Sequence, residues 1–234
     1  MYVPQKPIER LFPKAGKKML FIHTPKCGGK FIGASFGRRF RKCFSLHHPD
    51  LRGHLTWQQY RDAFQKNGWD LDDYALFSVI RNPWQWHLSW FNYIRKDTDG
   101  KKSGLPDEHA LFVNFSFLDY LRWLDDPLIT GKPNQYYLNQ VSDWFIDENE
   151  AVRVPDILRQ EALVEDLERL QAKHNLLLSI PKNRRNQSFW GDYRSEYCAE
   201  SVDIVARRHQ RDIAMFGYEF ENPKASRAAG LIQN

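Results

Sequence analysis

The first sustained apolar run is "MLFI", residues 19–22, short enough to read as a buried strand. It leads through "HTPKC" into "GGKFIGASFGRRF", which reads as a helix beginning at the glycines. In "HLTWQQYRDAFQKNG", Leu55, Tyr60 and Phe64 stand at helical spacing, with Thr56 as the cap. "YALFSVI" is a second short apolar strand. The helix "NPWQWHLSWFNYIRK" follows it, with Asn82 suited to the N-cap and Pro83 to the first helical position. Residues 97–109 read as a polar, glycine-containing loop, and "SFLDYLRWLDD" as a helix capped by Ser116. "PDILRQEAL" contains a strand, and "VEDLERLQAKHN" is amphipathic. The stretch from Tyr193 to Tyr218 is expected to end in one long helix stopped by Gly217. Strands alternating with helices predict an α/β fold, a mainly parallel sheet flanked by helices. No Pro/Gly/Ser linker divides the chain, so a single domain is expected over residues 1–234.

Composition narrows the class. The chain has 234 residues, 42 % hydrophobic and 15 % aromatic, which favours a packed globule over disorder. No apolar run approaches the roughly 20 residues of a membrane span, and the N-terminal stretch lacks the apolar core of a signal peptide. Three scattered cysteines, Cys27, Cys43 and Cys198, make neither a disulfide framework nor a zinc site. A cytoplasmic protein is the expectation. The net charge of +5 favours anionic partners. Its basic clusters "GRRFRK", "PKNRR" and "ARRHQR" match no nucleic-acid-binding signature, so no specific nucleic-acid partner is expected.

Two segments carry candidate chemistry. In "HTPKCGGKF", a strand delivers a glycine-bearing turn into a helix, pointing main-chain N–H groups at an anion. Gly28 and Gly29 permit the close approach and positive φ that such a loop needs, and Lys26 and Lys30 add charge. A nucleotide triphosphatase would have Ser or Thr after the second lysine to anchor magnesium; here stands Phe31. The second strand ends in Arg81, where such an enzyme would carry an acid, so no metal is expected. Arg81 stands at a strand's carboxyl end, ahead of a helix cap, where open α/β sheets bind ligands. On the following helix Gln85, Ser89 and Asn92 make one polar stripe among aromatic residues.

Together these segments resemble the sulfotransferases that use 3′-phosphoadenosine 5′-phosphosulfate (PAPS), especially the Golgi-type carbohydrate branch and its bacterial relatives. Pro25, Lys26, Cys27, Gly28 and Gly29 match the family's first motif. Val79, Arg81, Asn82, Pro83 and Ser89 match its second, at the family spacing from Arg to Ser. "DILRQEALVEDLERL" and "GYEF" resemble later family stretches, so the likeness spans roughly residues 19–220. It implies a P-loop-like sulfotransferase fold and metal-free sulfuryl transfer from PAPS to a hydroxyl, leaving adenosine 3′,5′-bisphosphate (PAP). It implies that the loop from Lys26 to Phe31 grips the 5′-phosphosulfate, and that Arg81 and Ser89 hold the 3′-phosphate. The family carries Thr and Ser where this chain has Lys30 and Phe31; Lys30 either replaces a hydroxyl contact with charge or points to solvent. In "KNRRNQSFWGDYRSEY" the family closes over the nucleotide, which makes Arg184, Arg185, Asn186 or Ser188 candidates for the phosphate and Phe189, Trp190 or Tyr193 for the adenine.

An alcohol needs a base before it attacks. "GHLTWQQY" resembles the family's base-bearing segment, making His54 the first choice, ahead of His47, His48 and the loop carboxylates Asp50, Asp107 and Glu108. A glycan is the expected acceptor. Trp57, Trp69, Trp123 and Trp144 are candidate sugar platforms, although large aromatics mainly supply core and rim. Two rival readings differ in class: a nucleoside or sugar kinase with an altered loop, and a non-enzymatic polyanion-binding module.

Overall fold

The computed structural model describes residues 18–44, 49–97, 100–101, 103–129, 135–181 and 192–221. His47, His48, Arg184, Arg185, Asn186, Ser188, Phe189 and Trp190 lie outside the described residues. The rest form two compact units: residues 18–80 and 143–181 belong to the first, and residues 81–142 and 192–221 to the second.

The first unit is α/β. It contains β1 (Lys18–Ile22), α1 (Gly29–Phe44), α2 (Trp57–Lys66), β2 (Tyr74–Ile80), β3 (Asp156–Arg159) and α6 (Leu163–His174). Among the described residues its sheet has three strands in the order β1-β2-β3, all parallel, with Ile22 opposite Ser78 and Ile80 opposite Arg159. As the central strand, β2 is buried from Ala75 onward, its apolar run interrupted by the polar Ser78. Phe77 stacks on Phe21 and Phe36 at 4.9 and 5.5 Å. At the carboxyl ends of β1 and β2, buried Ser78 donates to the Ile22 carbonyl at 2.8 Å and shares a 3.1 Å hydrogen bond with Thr24. Thr56 caps α2, as its sequence predicts, and the structure adds a reciprocal box with Gln59. The helix at the glycines also forms, although Gly37 interrupts α1 with φ 80°.

The second unit is helical among its described residues: α3 (Pro83–Arg95), α4 (Pro106–Phe112), α5 (Phe117–Asp125), α7 (Ala199–Arg208) and α8 (Gln210–Phe216). Asn82 caps α3 by accepting from the Trp84 and Gln85 N–H groups, with Pro83 in the first turn. Ser116 caps α5 in a box with Asp119. Two expectations are corrected. The loop at 97–109 gives way to α4 from Pro106, because Pro, Asp and Glu open a first turn well and Leu105 and Phe112 are buried. The final long helix is two, broken at His209, whose buried ring is drawn inward to Asp212 and His87 before Gly217 ends α8 with φ 64°. No helix among the described residues is long and apolar enough to cross a membrane.

Candidate functional site

In the first unit, β1 runs out at Ile22 and the chain turns through residues 23–28 into α1. Lys26 has φ 61° and Gly28 φ 85°. A left-handed lysine costs roughly 1–2 kcal/mol, and such outliers gather where a backbone is held for function. The turn closes with Phe31 and Ile32 donating their N–H groups to the Gly28 carbonyl at 2.8 and 3.1 Å. The N–H groups of Gly28, Gly29 and Lys30 have no acceptor among the described residues, and no acidic residue stands in the first turn of α1. Orphan donors at the positive end of a helix suit an anion. Cys27 is fully buried, and an added Cβ at Gly28 would stand 3.0 Å from Leu163 of α6. Phe31 is half-buried; Lys30 is exposed, which decides its orientation in favour of solvent.

His54 belongs to the same unit. Its Nδ1 lies 3.0 Å from the His23 carbonyl, which can only accept, so Nδ1 carries the proton and Nε2 the lone pair. The Trp144 indole N–H donates to the His54 carbonyl at 3.0 Å. Burial lowers the His54 pKa, the bond to His23 works against that, and the Lys26 charge lowers it further. A neutral imidazole beside the loop lysine is therefore the form present at neutral pH. Of the other candidate bases, Asp50 is engaged by Asn67 and Lys66 at 3.2 and 3.0 Å, and Asp107 is exposed. Glu108 is buried in the second unit, where Gln135 and Tyr137 donate to it.

His23, not among the residues that the sequence motifs mark, also belongs to this site. Its ring stacks on Phe21 at 5.1 Å and lies 4.3 Å from the His54 ring. Burial, and then His54, lower its pKa to about 3. A polar aromatic closing an apolar strand directly ahead of a glycine turn was the available signal. Trp144 is core, at 1 % exposure, whereas Trp57 is half-buried with the Arg61 and Arg153 guanidinium groups 5.3 and 5.8 Å from its ring.

In the second unit, Arg81 is half-buried ahead of the Asn82 cap, and Ser89 is 3 % exposed on α3. Burial raises the Tyr197 phenol far above its ordinary value, with the nearby Arg81 charge acting the opposite way. Tyr193 is buried; its hydroxyl donates to the Phe220 carbonyl, and its ring meets Tyr197 and Phe220 edge-on at 6.3 and 5.6 Å. Among the described residues, no group of three or more His, Cys, Asp or Glu is placed to hold a metal ion. The chain matches no protein-family model, no curated protein and no solved structure.

Proposed function

We propose that the protein transfers a sulfuryl group from PAPS to a hydroxyl, with a carbohydrate as the acceptor class, within a P-loop-like sulfotransferase fold. One observation carries the reading: a loop of orphan N–H donors with left-handed Lys26 and Gly28 shares its unit with a neutral, Nδ1-protonated His54 beside Lys26. The first element suits a dianionic leaving group, and the second a hydroxyl proton. In the proposed step the acceptor oxygen bonds to sulfur as the bond from sulfur to the bridging oxygen breaks. The hydroxyl proton passes to Nε2 of His54, and the electron pair departs on the 5′-phosphate of PAP, opposite Lys26. The residue match assigns the 3′-phosphate to Arg81 and Ser89, and gives Asn186 and Tyr193 to the nucleotide.

The test is transfer of labelled sulfate from PAPS to a panel of glycan, lipid-glycan, small-alcohol and tyrosyl acceptors, with PAP binding followed by calorimetry. Transfer to a hydroxyl supports the reading; absence of PAP binding at millimolar nucleotide, or phosphoryl transfer from ATP, overturns it. Lys26→Ala is expected to reduce turnover by on the order of 10²–10³-fold, the usual loss when one donor to a developing charge is removed. Full turnover in that variant would take Lys26 out of the reaction. PAP should also bind more tightly than AMP, by about 1.5–3 kcal/mol for charged hydrogen bonds to the 3′-phosphate. Arg81→Ala should erase most of that preference, and a variant that kept it would place the 3′-phosphate elsewhere.

A further inference from the structure

Gly28 and Gly29 are glycines for different reasons. Gly28 is left-handed with φ 85°, a conformation that penalises a side chain. Gly29 opens α1 and is not among the left-handed residues, so its backbone places no such demand. What excludes a side chain there is His23: an added Cβ would stand 2.1 Å from its Nε2 and 2.6 Å from its Cε1. The same ring lies 4.3 Å from that of His54 and stacks on Phe21 behind it. The His23 carbonyl meanwhile fixes the His54 tautomer.

We propose that His23 is the positioning residue of this site, its imidazole wedged between Gly29 and His54 so that the base is held in register with the anion loop. The inference rests on reading His54 as the base. One ring touches the first residue of the loop helix on one side and the base on another, so a displacement at Gly29 reaches His54 through it. Among the described residues, His23 from the end of β1 and Lys26 from the loop act on His54, and Trp144 holds its main chain. The neutral state of His23 suits this role, because a second cation beside His54 would disfavour proton uptake by the base.

Four proteins test the inference: wild type, His23→Ala, Gly29→Ala and the double variant. Nuclear magnetic resonance of the His54 ring reads its tautomer and titration, calorimetry reads PAP affinity, and the pH profile of kcat reads the base. In His23→Ala water reaches the His54 ring, so its titration should move up toward the ordinary histidine value. Turnover should fall by on the order of 10- to 100-fold, the scale of an ångström misplacement, with PAP affinity within about twofold. Gly29→Ala alone should disturb the His54 resonances, and should add nothing in the His23→Ala background, because the atoms it would strike are gone. His23→Phe, which keeps a ring stacked on Phe21, should hold the His54 titration near that of wild type and so separates positioning from loss of fold. Unchanged His54 resonances in both single variants, or equal damage from Gly29→Ala with and without His23, would overturn the proposal. A wild type that neither binds PAP nor transfers sulfate would instead overturn the functional reading, while the resonance arm still decides whether His23 positions His54.

Discussion

His54→Ala is expected to lower turnover by roughly 10²–10⁴-fold, the usual contribution of a general base, with PAP affinity within about twofold of wild type. The asymmetry follows from the charge state. A neutral imidazole gives an anionic nucleotide little attraction, so its removal costs binding little. The acceptor proton, however, loses its destination. The pH profile supplies an independent reading. Burial and the Lys26 charge both disfavour the imidazolium, with only the His23 carbonyl bond working the other way. The acid limb of the rate should therefore lie below the ordinary histidine value of about 6.5, with a level rate through neutrality. Lys26→Ala removes one of the lowering influences, so whatever turnover it retains should show an acid limb at higher pH. Near-wild-type turnover in His54→Ala would remove His54 from the mechanism and direct attention to His47 and His48.

The elements that were legible in the sequence are those whose signals are local. Apolar runs of strand length at residues 19–22 and 74–80 gave β1 and β2, and Thr56, Asn82 and Ser116 each mark a helix start where their side chains accept the first N–H groups. The turn after β1 was legible in part, since a preceding strand and two glycines announce a left-handed turn: Gly28 is left-handed, but Gly29 is not, and Lys26 takes that conformation without a glycine to mark it. What escaped notice depends on contacts distant in sequence. The break between α7 and α8 has no glycine or proline to mark it; it follows from His209 turning inward to a partner 122 positions away. The part His23 plays is invisible without the fold, because only the turn at residues 23–28 brings its ring over Gly29. Glu108 read as a loop carboxylate because its partners, Gln135 and Tyr137, lie beyond a second helix.

Asp212→Ala is expected to destabilise the second unit by on the order of 3–5 kcal/mol, the range for removing one partner from a buried charged network. Asp212 is 1 % exposed and accepts from the Val141 and Ser142 N–H groups at 2.7 and 2.8 Å and from His209 Nδ1 at 2.7 Å. Alanine leaves all three donors without that acceptor. Burial would raise the Asp212 carboxyl, but the His209 ring and the Ser142 donors outweigh it and hold the pKa below the ordinary value. Beyond His209 the chain of bonds continues: its Nε2 meets His87 Nε2 at 2.8 Å, and His87 Nδ1 meets the Tyr120 hydroxyl at 3.1 Å. Two Nε2 atoms at that distance share one proton, so the pair cannot be fully protonated without breaking. Burial, His209 and Arg208 hold the His87 pKa well below its ordinary value. The folded state thus binds fewer protons than the unfolded chain once pH falls below about 6.5, and stability should decline there by up to about 1.4 kcal/mol per pH unit from His87 alone. Below about pH 4 the Asp212 contribution should be lost as well, since its folded pKa lies under the unfolded one. Denaturant midpoints followed from pH 7.5 to 4 in wild type and His87→Phe, which has no proton to take up there, would show the slope and its reduction. Identical slopes in the two proteins would mean that His87 is not held neutral, and an Asp212→Ala variant as stable as wild type would mean that the network does not hold the α7–α8 break in place.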